Sequence, residues 1–406
     1  MAEDNHLRIL FIGYGQHGTT FLTRLVRGLA DAGNVVTLAR PERGLPTKLQ
    51  HHNINNLWAP SWHERLIPRM LNLIILFLMA LFGRRVRWLL MQIKNQTTLR
   101  DKLVAFYRLA PFCQGHWDLV YFPWNSAAID YRALYALGKP VVLSCRGSQV
   151  NIRPHQPGQD DFVQGLQWTF QNSAAVHCVS EDILNQAVSM GLDRRKAHVI
   201  RPAVDPAFFS PSDMPPGNVR FNIVTTGSLI WPKAYESMLM ALNILILSGV
   251  DAELHIIGEG PERSRILFTC QDLDVADRVC LHGSLTPPQV RDRLQAADAF
   301  VLASLSEGIA NAVLEAMSCG LPVVTTDCGG MREAVADGVE GFVVPVRDPQ
   351  AMAGALVRLA RDPLLRKRMG AAGRQCIDKA FHIDGQIDAF IELFQAVAQD
   401  SQAGTN

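Results

Sequence analysis

The 406-residue sequence predicts an α/β protein built as two doubly wound, parallel-sheet domains in tandem. Three observations carry this reading. Apolar runs of strand length alternate with stretches of helical periodicity along the whole chain. The alternation halts at a Pro-, Ser- and Gly-rich stretch, "SPSDMPPGNVR" (210–220), and then starts again. Charge divides at nearly the same place. Residues 1–205 hold 23 Lys+Arg against 14 Asp+Glu, and the remainder holds 16 against 24. A net charge of +1 therefore conceals a basic half and an acidic half that meet different partners. The basic half suits something anionic: a membrane surface, a phosphorylated lipid or an acidic polymer.

In the first domain, "LRILFIG" (7–13) reads as a strand and "TTFLTRLVRGLADAG" (19–33) as a helix stopped at Gly33. "NVVTLAR" (34–40), "DLVYFP" (118–123), "KPVVLSC" (139–145), "AAVHCVS" (174–180) and "AHVIRPAVD" (197–205) supply further strand-like runs. In the second domain "FNIVTTG" (221–227) is a fresh strand, followed by a helix over 233–249 and strands over 252–258 and 279–283. A helix over 287–298, a strand over 299–304, a helix over 308–320 and strands over 321–327 and 341–346 complete it. Helical stretches around 349–361, 364–379 and 384–399 close the chain. No internal repeat or low-complexity run interrupts the pattern. The cleft between two such domains is the default place for a site.

The composition, 48% hydrophobic and 19% charged, is that of an ordinary folded protein. Eight scattered cysteines without a CxxC pair indicate reduced thiols of a cytosolic protein, excluding a disulfide framework or a zinc site. "MAEDNHLRIL" has no basic and apolar stretch of a signal peptide. One segment stands apart. "LNLIILFLMALF" (71–82) is twelve residues, all apolar but Asn72, preceded by Arg69 and followed by Arg84, Arg85 and Arg87. It is too short to span a bilayer, which leaves a buried core helix or a helix lying in a membrane interface. Nine Lys+Arg against two acids between 60 and 110 favour the interface, with 66–108 as the segment concerned.

Chemistry concentrates in "ASLSEGIANAVLEAMSCGLPVVTTDCGGMREAVADGVEGFVVPVRDP" (303–349). With 308–319 helical, Glu307 stands at the helix start and Glu315 two turns in, about 12 Å along the axis. The first amides, from Gly308, Ile309 and Ala310 onward, would be unpaired and would favour an anion such as a diphosphate. A carboxylate accepts from paired hydroxyls. The layout suits a sugar nucleotide, with sugar at Glu307, diphosphate at the amides and ribose at Glu315.

The stretch "SEGIANAVLEAMSCGLPVVTTDCGGMRE" resembles the retaining glycosyltransferases of the group 1, family-four type. Its E-x7-E pattern is followed by "LPVV" and "GG…E". The resemblance implies the GT-B fold. It implies residues 1–205 as an acceptor-binding domain, 206–380 as the nucleotide-sugar domain and 381–406 as a C-terminal helix returning to the first. It also implies a phosphate-clamping loop at "TGSLIWPKAYESM", which includes Gly227 and Ser228. Lys233 takes the clamping lysine's place, while Ser228 stands where Arg is usual. Arg146-Gly147 replaces the family's His-Gly, exchanging a titratable group for a permanent cation that cannot act as a base. Glu307, Lys233 and Arg146 are thus the catalytic candidates. Gly283 and Ser284 fall where relatives hold the nucleobase. "IIGEGPERSRI" (256–266) also matches, whereas Pro202-Ala203 stands where the family has Asn-Gly.

"FIGYGQHGTT" (11–20) carries GxGxxG at Gly13, Gly15 and Gly18. In the resembled family such a loop faces the cleft, and Gly15 and Gly18 would let backbone approach donor or acceptor. His17 lies in the same loop. A dinucleotide enzyme would need a ribose-binding acid at the end of the second strand, where Arg40 stands instead. An NADP-dependent oxidoreductase and a non-catalytic GT-B partner protein are the rival readings. No HExxH, GxSxG or P-loop pattern is present. The expectation is a transferase with no cofactor and no metal, whose substrate is a nucleotide-diphosphate sugar. Its acceptor is a glycan or lipid-linked intermediate of bacterial surface polysaccharide. It would not bind nucleic acid, and it would be cytoplasmic, peripheral on the inner face of the membrane.

Overall fold

The computed structural model describes residues 6–14, 20–62, 66–212 and 219–403. The chain divides into two compact units. The first contains the residues up to Cys178, Leu184–Val199 and those from Ile387 onward; the second contains Val179–Ile183 and Ile200–Gln386.

The first unit is a seven-stranded parallel sheet. Its strands are β1 (Arg8–Ile12), β2 (Val35–Arg40), β3 (Ile54–Trp58), β4 (Leu119–Phe122), β5 (Val141–Cys145), β6 (Ala175–Cys178) and β7 (Ala197–Val199). They lie in the order β3-β2-β1-β4-β5-β6-β7. Ile9, Leu10, Phe11, Leu119, Val120, Val142 and Leu143 are fully buried. Near-continuous apolar strands are what a parallel sheet covered on both faces requires. The crossovers carry α1 (Thr20–Asp31), α2 (Leu66–Leu81), α3 (Val86–Lys94), α4 (Leu99–Leu109), α5 (Asn125–Asp130), α6 (Ser148–Asn151), α7 (Asp160–Asn172) and α8 (Glu181–Ser189). β3 escapes the sequence reading because "INNLW" is neither apolar throughout nor rich in β-formers.

The second unit is a six-stranded parallel sheet in the order β10-β9-β8-β11-β12-β13. Its strands are β8 (Phe221–Thr226), β9 (Ala252–Ile257), β10 (Val279–Leu281), β11 (Ala299–Leu302), β12 (Val323–Thr326) and β13 (Gly341–Val344). Between them run α9 (Tyr235–Leu247), α10 (Arg263–Asp272), α11 (Pro287–Gln295) and α12 (Asn311–Ser318). After β13 come α13 (Pro349–Arg361), α14 (Pro363–Ala380) and α15 (Ile383–Ala403). Two tandem Rossmann-like sheets are the architecture expected from the alternation.

From Ile387 onward α15 packs within the first unit. The Phe390 and Phe394 rings lie 5.9 and 5.3 Å from Tyr121, and Phe390 lies 4.7 Å from His177. Ile387 fills the space above Gly28 that any side chain there would occupy.

The segment 71–82 is not a buried core helix. α2 packs only one side inward, through Asn72, Leu76 and Ala80. Its opposite face is exposed.

Candidate functional site

The chemistry-bearing residues of the second unit gather where β8, β9, β10, β11 and β12 end. Backbone holds the loops there. Gly227 N–H donates to the Ile257 carbonyl at 2.9 Å, and Gly258 N–H to the Gly283 carbonyl at 2.9 Å. A Cβ on Gly258 would overlap the Gly227 carbonyl oxygen, so only glycine permits this approach. Leu229 N–H donates to the Glu259 carbonyl at 2.9 Å. Ser228 is exposed, and so is Ser284, whose N–H points at Glu259 Oε1 at 3.5 Å.

Lys233 ends a short 3-10 turn, Trp231–Lys233, that precedes α9. The Pro232 carbonyl in this turn accepts from Leu305 N–H at 2.7 Å, tying the loop after β8 to the loop after β11. That tie delivers Lys233 Nζ to within 2.6 Å of Glu307 Oε1. Ser304 Oγ donates to the same oxygen at 2.8 Å. Both side chains stay partly open, Lys233 at 19% and Glu307 at 16% exposure. Tyr235 donates its hydroxyl to the Gly227 carbonyl at 3.1 Å, and burial, with Glu307 nearby, raises its pKa. Burial also pushes the Cys328 thiol up to about 11, with Glu307 and Lys233 among its neighbours, so it stays protonated near neutrality.

Gly329 and Gly330 support Glu307 from beneath. A Cβ on Gly329 would overlap the Glu307 carbonyl oxygen, and Gly330 N–H donates to the Gly308 carbonyl at 2.8 Å. This fixes the path of Gly308, Ile309 and Ala310, and it corrects one expectation. These three residues are a buried loop; α12 begins at Asn311, with Ala310 as its uncapped N-cap. The helix-start amides are therefore those from Asn311 on. Glu315 sits in the second turn of α12, so the continuous-helix spacing from Glu307 does not apply. Asn311 Oδ1 is buried with no hydrogen-bond partner. Ser304, Tyr235 and Asn311 are site residues that the sequence reading did not single out. Ser304 and Asn311 flank Glu307 in "SLSEGIAN", but nothing in their types says which way they point.

In the first unit Arg146 follows β5. Its guanidinium lies 4.1 Å over the Phe21 ring, and one nitrogen is 3.4 Å from Tyr121 Oη. The Arg146 Nε is buried without a partner. Tyr121 Oη lies 2.6 Å from Ser144 Oγ, which lies 2.6 Å from His177 Nδ1. Gly15, Gly18 and His17 lie outside the described residues. Arg40 is buried, pairs with Glu42 at 3.1 Å and leans over Tyr14, so it is already engaged and is not open to a 2′-phosphate.

A family model described as "Glycosyl transferases group 1" matches residues 220–362, and one described as "Glycosyltransferase Family 4" matches residues 18–208. Among curated proteins, N-acetyl-alpha-D-glucosaminyl L-malate synthase of Bacillus anthracis is 23% identical over 70% of this chain and 76% of its own length. The amylovoran biosynthesis glycosyltransferase AmsK of Erwinia amylovora is 31% identical, over 44% of this chain; the chain spans under half, 45%, of that relative. Anabaena Alr3699/HepE, solved with UDP and glucose, shares the fold with a TM-score of 0.74 at 16% identity. That likeness covers 96% of this chain and 100% of the neighbour.

Proposed function

The chain belongs to the group 1 and family 4 glycosyltransferases, and from that premise we propose that it moves a sugar, with retention, from a nucleotide-diphosphate sugar to a glycan or lipid-linked acceptor. The observation that carries this reading is the Lys233–Glu307 pair beside the start of α12. A cation, a carboxylate and helix-start amides together match the parts of a sugar diphosphate.

In this reading Lys233 leaves Glu307 for the donor phosphates and neutralises charge as the bond from the anomeric carbon to the phosphate oxygen breaks. Glu307, released, accepts from sugar hydroxyls with Ser304 fixing its rotamer. Glu315 takes the ribose. Gly227, Ser228, Gly283 and Ser284 line the nucleotide. The acceptor oxygen bonds to the anomeric carbon on the face the phosphate leaves, and its proton passes to the departing phosphate oxygen. Arg146, a permanent cation in the first unit, remains a catalytic candidate for a sugar hydroxyl or a phosphate. No step calls on a metal or cofactor. The setting of this reading is bacterial surface polysaccharide biosynthesis on the cytoplasmic side of the membrane; curated relatives named for amylovoran biosynthesis and for lipopolysaccharide core biosynthesis support the polysaccharide part.

Release of nucleoside diphosphate from a panel of UDP-, GDP- and ADP-sugars tests the reading. Turnover that Glu307→Ala abolishes supports it, and excludes the non-catalytic partner protein. A folded protein that turns over none of them, with or without lipid-linked acceptors, contradicts it.

A further inference from the structure

α2 is apolar at every position but Arg69 and Asn72, a composition that ordinarily marks a helix buried nearly all round. Here it is not buried. Ile67, Met70, Leu71, Ile74, Phe77, Leu78 and Leu81 recur at spacings of three and four and form one outward stripe, with Ile67 73% exposed. Phe82, just beyond the helix, is 84% exposed. The inner side is firmly held: Asn72 Nδ2 donates to Tyr107 Oη at 3.1 Å, and Gln114 Nε2 to the Met79 carbonyl at 3.1 Å. The stripe is thus a built surface and not a loosely packed core.

Cations frame it. In α3, Arg87, Leu90, Met91 and Lys94 are all exposed and again fall three and four apart, placing two charges on the same face as two large apolar side chains. Arg100 and Leu99 are exposed at the start of α4. Arg85 is different: its guanidinium donates to the Gly115 carbonyl at 2.9 Å and leans on Trp117, so it serves the fold.

We infer that the outward stripe of α2, with the mixed face of α3, seats this protein on an anionic lipid surface. The apolar side chains would enter the acyl boundary, and Arg87 and Lys94 would reach back to the headgroups. α2 is about 24 Å long, short of the roughly 30 Å hydrocarbon core, and among the described residues no helix is long and apolar enough to cross a membrane. Charge selects this occupant over a second copy of the chain. A two-fold dimer through the stripe would bring like cations together, whereas an anionic leaflet complements them.

The inference deepens the acceptor half of the proposed function. Lipid binding is read without any sugar donor, so the two readings fail separately. The test is co-sedimentation of the full chain with phosphatidylcholine vesicles, with and without phosphatidylglycerol, at low salt. Binding that requires phosphatidylglycerol and weakens with salt is expected. Ile74→Asp with Phe77→Asp should reduce partitioning ten-fold or more while leaving the melting temperature unchanged, because both side chains are exposed. Arg87→Gln with Lys94→Gln should weaken binding to the anionic vesicles by about 25-fold, at about five-fold per charge. Wild-type protein that stays in the supernatant overturns the inference, as does an aspartate variant that binds equally well. A concentration-dependent dimer dissolved by the aspartates would assign the stripe to a second copy instead.

Discussion

Lys233 Nζ and Glu307 Oε1, 74 positions apart in sequence, meet at 2.6 Å in the loops that follow β8 and β11. The pair joins the cation proposed for the donor phosphates to the carboxylate proposed for the sugar. Lys233→Ala should lower turnover by on the order of 100-fold, the size of effect of one lost transition-state donor. Lys233→Arg should recover part of it. Nucleoside diphosphate release by the two variants checks this.

Ser304 donates to the same Glu307 oxygen at 2.8 Å. Ser304→Ala removes one charge-assisted hydrogen bond, worth about 1.5–3 kcal/mol. A roughly ten-fold fall in kcat/KM is expected, with the circular dichroism spectrum unchanged. Steady-state kinetics on the variant read it directly.

Gly329→Ala places a Cβ against the Glu307 carbonyl oxygen. Its cost should be about 2 kcal/mol, a fall in melting temperature of roughly 4–8 °C, together with lost activity. Gly354→Ala, in α13 with open space around it, is the control and should be neutral or slightly stabilising. Equal melting temperatures for the two variants would remove the supporting role assigned to Gly329.

An arginine side chain is a permanent cation, and Arg146 stands where the resembled family has His. Arg146→His would make that charge titratable, with an ordinary imidazole pKa of about 6.5. The histidine is cationic below that value, so activity should survive at pH 6 and fall as pH rises toward 8, relative to wild type. A variant whose profile parallels the wild type would show that the charge of Arg146 is not used.

The Cys328 thiol, pushed up to about 11 by burial, and Cys319, pushed up to about 12, stay protonated in the fold after an unfolded chain would have lost its protons. Folded-state pKa values above the unfolded one give stability that is full below about pH 9 and lost as pH rises toward 11 and 12. Thermal unfolding from pH 8 to 10.5 should show that decline. Iodoacetamide at pH 8 should label the exposed Cys280 before either buried thiol.

The two tandem sheets were legible because their strands are buried apolar runs separated by helical periodicity, and Glu307 and Lys233 were legible through the motifs around them. The start of α12 was not. "GIA" is compatible with a helix, and the N-cap itself, Ala310, is not a Ser, Thr, Asp or Asn that would announce the later start. What holds Gly308 out of the helix is Gly330, 22 positions away in sequence. Ser304 and Tyr235 were invisible for a similar reason: their roles depend on which oxygen they face. The apolar run at 71–82 showed its length and its flanking charge but not which side of the helix has a partner, since apart from Asn72 every position in it is apolar.

The central claim is that a nucleoside diphosphate binds at Lys233 and Glu307. Thermal unfolding of the wild-type protein and of Lys233→Ala with UDP, GDP, ADP and NADP tests it most directly. Ligand at about 100 times its dissociation constant adds roughly 2.7 kcal/mol. One nucleoside diphosphate should therefore raise the wild-type melting temperature by several degrees and the variant's by much less. A shift with NADP alone, or an equal shift in the variant, would contradict the account.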